Sequence, residues 1–570
     1  LTTPTHHSED TPRMAMATDA KSPGSPSFSL RRLWSRIGLS GLFAALLALL
    51  IAVPILAVFV QAAGVSTDLW GHMARTVLPG YILNTLILLG IVGVVTLVTG
   101  VACAWTVTMH DFRGRGVLQW LLLLPLAMPA YVMAYTYTDF LQYAGPLQSA
   151  LRAAFGWQRR DYWFPDIHTA WGAGLVLSSV LYPYVYVLAR AAFLEQSVCV
   201  LEASRTLGCT AFGAFRRVAL PLARPALVAG VGYALMETLA DFGAVRYFGI
   251  DTFTVGIYRT WFALGDAAAA AQLAAVLLLV VLALVGLERL SRGRMRFHQT
   301  SSRYRALPAP RLSAGGTAMA WIVCLTPVLF GFLLPGAVLI RMILRGGTEL
   351  TMARFTDLTV NTFILGASGA LLVVGVALLV IHGVRHDRSG LATGAAKLAS
   401  LGYATPGTVI AVGILISVGL AHDWAGWPVG AILGTTIAGI LYGYLIRFFV
   451  VAYGPLESGF AKIGPNLEGA ARSLGHTPLQ VLRRVHLPLL RPSLLSAAML
   501  VFVDITKELP ATMILRPFNF DTLAIEAFRM ASTERLDDAA LPALVIVLVG
   551  LLPVMYLSRS IAASRPGHSD

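Results

Sequence analysis

Four carboxylates lie within otherwise apolar sequence. Glu237 and Asp241 occur in Glu237-Thr238-Leu239-Ala240-Asp241-Phe242-Gly243, and Asp504 and Glu508 in Asp504-Ile505-Thr506-Lys507-Glu508-Leu509-Pro510. A carboxylate near the middle of a bilayer costs roughly 2.5–3.5 kcal/mol on insertion scales, so such groups normally face water or a partner. One reading has all four line a central pathway. The other has them structural, with Lys507 pairing Glu508 or Asp504, or with the positions close to the outer interface. Asp139 and the tyrosines Tyr131, Tyr135 and Tyr137 form a further group near the outer end of an apolar stretch. They suit contact with a docking protein or a passing ion, or an interfacial aromatic belt. Asp161, Asp166, Asp251 and Asp521 fall in segments between apolar runs, either as a surface for a basic partner or as ordinary solvated charge. The histidines form no metal or nucleophile constellation, and the four cysteines, Cys103, Cys199, Cys209 and Cys324, have neither disulfide nor metal spacing.

The elements that must hold these groups are membrane helices. Hydrophobic residues make up 56% of the 570-residue chain and charged residues 13%, with a mean hydropathy of +0.71. That is too little charge to cover a soluble domain of this length. Apolar runs of the roughly 20 residues that cross a bilayer recur throughout, and in lipid such runs must be helical. About twelve are expected, near 38–60, 82–108, 117–137, 170–192, 226–243, 268–288, 316–341, 361–384, 396–419, 429–451, 493–511 and 541–558. The net charge of +14 reflects arginines in short loops rather than nucleic-acid binding. Arg113 and Arg115, Arg385 and Arg388, and the arginine-rich stretch 289–311 fall on one side if both termini are cytoplasmic. The expected fold is therefore an all-α membrane protein of two six-helix halves. Its divisions are a disordered polar tail 1–36, a first half 37–290, a basic cytoplasmic linker 291–315, a second half 316–560 and a tail 561–570.

The halves repeat. Asn84-Thr85 recurs as Asn361-Thr362 and Pro129 as Pro406, both at an offset of 277. Further on the offset is 267, pairing Gly208 with Gly475, Pro221 with Pro488 and Pro225 with Pro492. A longer external loop around 145–168 in the first half accounts for the change. Both halves have an even number of spans in the same order, so the duplication is parallel, with a pathway between halves related by an axis along the membrane normal. The 267 offset makes Glu237 the mate of Asp504 and Asp241 the mate of Glu508.

Each half carries a basic cytoplasmic loop, near 195–225 and 455–492. The first contains Leu201-Glu202-Ala203-Ser204-Arg205-Thr206-Leu207-Gly208 and then Arg216-Arg217-Val218-Ala219-Leu220-Pro221. The second contains Leu467-Glu468-Gly469-Ala470-Ala471-Arg472-Ser473-Leu474-Gly475 and then Arg483-Arg484-Val485-His486-Leu487-Pro488. The pattern predicts a short helix broken at glycine, and a second short helix ending at Leu-Pro. These segments resemble the Glu-Ala-Ala loops of importer permeases of the ATP-binding-cassette superfamily. The resemblance implies that each loop seats in a groove on one of two ATPase subunits. In the second copy Gly469 stands where the motif glutamate belongs and Glu468 lies one residue earlier, which puts that glutamate's salt bridge in question.

No lysine of Lys21, Lys397, Lys462 and Lys507 ends a Gly-rich phosphate loop. No cofactor is expected on this chain, and ATP and Mg belong to the partner subunits. Residues 35–560, and 237–262 and 504–524 most closely, are similar to fused permeases of ferric-iron importers. That resemblance implies ferric iron delivered by a periplasmic binding protein to a permease of the bacterial inner membrane, itself not an enzyme and without a high-affinity metal site. Thiamine, polyamine, sulfate or phosphonate are the alternative cargoes, and a gradient-driven secondary transporter the alternative class.

Overall fold

The computed structural model describes residues 39–64, 68–195, 208, 210–293, 311–346, 350–387, 390–425 and 436–563. These are helical, apart from loops and one isolated bridge between Asp111 and Arg311. Among the described residues, ten helices are long and apolar enough to cross a membrane. Two bent pairs also pass that test, Arg115–Ala127 with Ala130–Phe155 at 94° and Leu391–Ala404 with Gly407–Asp423 at 118°, each a broken span or a re-entrant loop. Each of the twelve apolar segments falls on one of these helices or bent pairs, and the count is twelve when each bent pair is one span.

The principal helices begin with α1 (Leu39–Ala62), α2 (Leu78–Met109), α3 (Ala130–Leu141), α4 (Ala170–Glu195), α5 (Leu220–Ala240), α6 (Gly243–Tyr247), α7 (Ala267–Gly293) and α8 (Ala314–Val328). The second half continues with α9 (Met352–His386), α10 (Gly407–Ala425), α11 (Ile437–Ala461), α12 (Pro465–Ser473), α13 (Leu487–Thr506), α14 (Pro510–Leu515) and α15 (Leu536–Ala563).

Both bends occur at the repeated prolines. A residue before proline is pushed out of the helical region. Met128 accordingly has ψ 116° before Pro129, and Thr405 has ψ 125° before Pro406. Proline has a different effect at Leu220-Pro221 and Leu487-Pro488. The helix was expected to end there, but it continues into the membrane as α5 and α13. A π-helical turn accommodates the missing N–H just before each proline, at Phe215–Ala219 and Leu482–His486. A third such turn, Leu329–Leu333, precedes Pro335.

The halves exchange their first helices. Ala44, Ala48 and Ile51 of α1 share a core with Val373, Ala411 and Tyr444 of the second half, and the Tyr442 hydroxyl donates to the Leu50 carbonyl at 2.6 Å. Reciprocally, Ala320, Cys324 and Val328 of α8 pack with Cys103, Val107 and Leu122 of the first half, where the Trp321 indole donates to the Arg113 carbonyl at 3.1 Å. Matched hydrogen bonds near Asn84 and Asn361 preserve the duplication. The Asn84 amide donates to the Asp251 carbonyl at 2.9 Å, and the Asn361 amide to the Asp521 carbonyl at 3.1 Å.

Candidate functional site

Where the halves meet, the broken helices enclose a cavity of about 150 Å³. All four sequence-selected carboxylates line it, together with Tyr131, Tyr184, Tyr403, Arg447 and Lys507. Four carboxylates and two cations leave a formal charge of −2 when all are ionised. A larger apolar groove of about 1260 Å³ lies elsewhere, bordered by Leu97, Trp105, Phe215 and Leu287. It opens among side chains suited to lipid tails and holds no comparable cluster.

The carboxylates divide by local geometry. α5 ends at Asp241, whose ψ is 135°, and α6 starts two residues later. Asp241 Oδ1 accepts the Val245 N–H at 3.0 Å, capping α6. In the second half, Glu508 Oε1 accepts the Ala511 N–H and Oε2 the Thr512 N–H, each at 2.9 Å, and Oε2 also accepts from the Thr512 hydroxyl. An anion at a helix N-terminus satisfies orphan donors and complements the dipole. The pairing of Asp241 and Glu508 is thus one of backbone chemistry as well as sequence. Glu237 and Asp504 lie one turn back, within the continuous helices. Glu237 Oε1 accepts from the Tyr403 hydroxyl at 3.2 Å. Asp504 Oδ1 lies 2.9 Å from Lys507 Nζ, so Lys507 takes Asp504 and not Glu508.

Glycines bring the broken ends close. A Cβ at Gly243 would lie 2.7 Å from the Tyr131 Cβ, and one at Gly407 2.9 Å from Glu508 Oε1 and 3.0 Å from Arg447 Nη1. Tyr131 and Thr408, mates at the 277 offset, both have buried hydroxyls without a hydrogen-bond partner, as does Arg447 Nη1.

The remaining outer candidates are placed apart from this cavity. Asp139 forms an ion pair with Arg341 and lies 3.4 Å from Arg345, joining the halves. Tyr135 is buried and its hydroxyl faces the Ala539 carbonyl at 3.4 Å. Tyr131 and Tyr135 are thus buried in the core rather than set in an interfacial aromatic belt, one of the two readings their sequence left open. Asp251 pairs with Arg259 at 3.0 Å, and Asp521 pairs with Arg354 and Arg516. Asp161 and Asp166 accept backbone N–H groups of Gln158 and His168.

Of the two expected docking loops, Glu202, Ala203 and Arg205 of the first lie outside the described residues. Gly208 and Gly475 are both left-handed, with φ +83° and +82°, and a Cβ at either would meet nothing within 4 Å. At the end of α12 the Gly475 N–H donates to the Arg472 carbonyl at 2.9 Å and the His476 N–H to the Ala471 carbonyl at 3.2 Å. This is the closing pattern that favours glycine. The register shift put the salt bridge of the second-copy glutamate in doubt, yet Glu468 makes one. Its Oε1 lies 2.7 Å from Arg385 Nε and 2.8 Å from His486 Nε2. Arg385 also donates to the Phe460 and Ile463 carbonyls, tying α12 to the bundle. Gly469, Ala470, Arg472, Arg483, Arg484 and Pro488 are exposed, as are Arg216, Arg217 and Pro221 in the first half. Exposed Leu474 and Phe212 make these surfaces partly apolar.

Sequence reasoning missed Arg447, Tyr184 and Tyr403 at the cavity and Arg385 and His486 at the loop. The isolated Arg447 in an apolar span carried the same signal as the acids. The tyrosines carried none, since aromatic residues are ordinary in such helices.

Residues 96–296 match the family described as binding-protein-dependent transport system inner membrane component. The chain is 25% identical over 481 residues to the Fe(3+)-transport system permease protein FbpB 2 of Haemophilus influenzae, covering 84% of this chain and 89% of that protein. It is 25% identical over 490 residues to the ferric transport system permease protein FbpB of Actinobacillus pleuropneumoniae, covering 81% and 69%. Similarity to the sulfate transport system permease protein CysT of Escherichia coli is 28% over 223 residues, 39% of this chain and 75% of that protein.

Proposed function

We propose that this chain, a permease of the binding-protein-dependent inner-membrane transport family, passes ferric iron between its two halves into a bacterial cytoplasm. The observation that carries the cargo is likeness to a ferric permease along both halves, over 84% of this chain, whereas the sulfate relative covers 39%. The cavity chemistry agrees: carboxylate and phenol oxygens suit a hard trivalent cation, and the lining residues carry excess negative charge.

In this reading a periplasmic binding protein releases iron at the outer mouth. Two copies of an ATPase dock at the cytoplasmic loops, one around Gly208 and one around Gly475, and both termini lie on that side. ATP and Mg are bound by those subunits, and the chain itself performs no hydrolysis. Glu237, Asp241, Asp504, Glu508 and Tyr131 line the path, and Asp139 with Tyr135 steadies its outer wall. Closure of the ATPases pulls on α12 and on the loop before α5, and the π-turns pass that motion into the spans.

The test is reconstitution of permease, ATPase and binding protein in vesicles. ATP-dependent accumulation of radioactive iron is expected, with none when the binding protein is omitted. Sulfate or phosphonate accumulation without iron would replace the cargo.

A further inference from the structure

We infer that Glu237 and Asp504 form a hard-cation site at the junction of the halves, and that the Lys507 ammonium fills this site while cargo is absent. The inference rests on the proposed cargo for the charge of the ion.

Three observations carry it. First, the four cavity carboxylates are not equivalent. Asp241 and Glu508 are committed to the N-termini of α6 and α14 through hydrogen bonds of 2.9–3.0 Å. Glu237 and Asp504 project from within α5 and α13 instead. The partner of Glu237 is a neutral hydroxyl, that of Tyr403, and the partner of Asp504 is Lys507. Second, Glu237 and Asp504 are mates in the duplication, whereas the mate of Lys507 is Ala240. Two related acids thus line one cavity as a symmetric pair, and a single lysine breaks that symmetry. Third, Tyr131 lines the same cavity, is only 5% exposed, and has a hydroxyl with no partner. A buried hydroxyl left unsatisfied carries a penalty that a bound ligand removes.

Size and charge fit one ion. A cavity of about 150 Å³ has room for several waters, so an ion can enter with part of its hydration shell still bound. Charge then selects. At equal distance a trivalent ion attracts each carboxylate about three times as strongly as an ammonium does. A trivalent cation gives up far more hydration energy on entry than a sodium or potassium ion does, so it displaces Lys507 from Asp504 only where carboxylate and phenol oxygens replace the lost waters. A sodium or potassium ion only matches the charge of Lys507 and gains no advantage over it at Asp504. Lys507 is in this sense a tethered substitute cation that keeps the resting pathway shut to monovalent ions.

Terbium(III) is a suitable probe, because nearby tyrosines sensitise its luminescence. Purified full-length permease in nanodiscs is titrated with terbium(III). Lys507→Met should tighten binding by roughly tenfold or more, since it removes a competing charge, while Lys507→Arg should bind as the unmodified chain does. Adding Glu237→Gln to Lys507→Met should cancel the gain. Unchanged or weaker binding by Lys507→Met, or a double variant that binds like Lys507→Met alone, overturns the site. Should Lys507→Met fail to fold, Glu237→Gln alone decides: it must weaken terbium binding, and unchanged affinity overturns the proposal. The vesicle uptake assay reads the cargo independently, so a failed cargo and a failed site give different results.

Discussion

Glu508 and Asp241 look from sequence alone like candidates for ion contact, and their geometry gives them a second task. Each caps a short helix that begins between the broken spans, where lipid offers nothing to satisfy the first N–H groups. Glu508→Ala should therefore cost about 1–3 kcal/mol through lost cap hydrogen bonds, and should lower the thermal midpoint of the purified permease. Glu508→Gln, which keeps an acceptor, should lower it less. If Glu508→Ala melts with the unmodified chain, the capping role is wrong. The acids were legible because ionisable groups in apolar sequence are rare. Their division into caps and open carboxylates was not, because it depends on where each helix breaks. Asp139 was legible as an oddity but not as an ion pair, since Arg341 and Arg345 lie some 200 residues away in the chain.

At the scale of the element, proline acts in two ways. Where the preceding residue turns extended, at Pro129 and Pro406, the span breaks and opens the cavity. Where the helix widens into a π-turn, ahead of Pro221 and Pro488, the span survives and the docking loop stays joined to it. Sequence reading located all four prolines but took the second pair as helix ends, since local propensity does not show that a wider turn can absorb the missing bond. A π-turn carries one extra residue, so removing it rotates the rest of the helix by about 100°. Pro488→Ala allows a regular α-helix there. ATPase copies should still co-purify with that variant, but transport per ATP hydrolysed should fall by roughly tenfold if the π-turn transmits the stroke. Normal coupling would mean that the turn only relieves strain.

For the whole molecule, the apolar segments and the duplication were legible from hydropathy and paired motifs, with ten continuous helices and two bent pairs among the described residues. The helix exchange was not, because an apolar helix satisfies lipid on any side and its sequence does not say which half it joins. The described contacts make α1 part of the second half's core and α8 part of the first's. Residues 1–300 and 301–570 co-expressed as two chains should therefore assemble, and each chain alone should be degraded. Recovery of both on a tag carried by one, with uptake restored, is the expected result. Stable, separately purified halves would show that the exchange contributes little.

The exchange also sets a timetable for biosynthesis. The seat for Ile51 includes Ala411 and Tyr444, which leave the ribosome roughly 360–390 residues later. At about 5–20 residues per second, α1 waits on the order of 20–80 s for its neighbours. During that interval α1 has a face not yet covered by its second-half neighbours, and a nascent chain that stalls before Ala411 still lacks that seat. Retention at the insertion machinery, rather than free diffusion in the bilayer, is the expected outcome for a chain stalled before Ala411, and crosslinking of such stalled chains checks it.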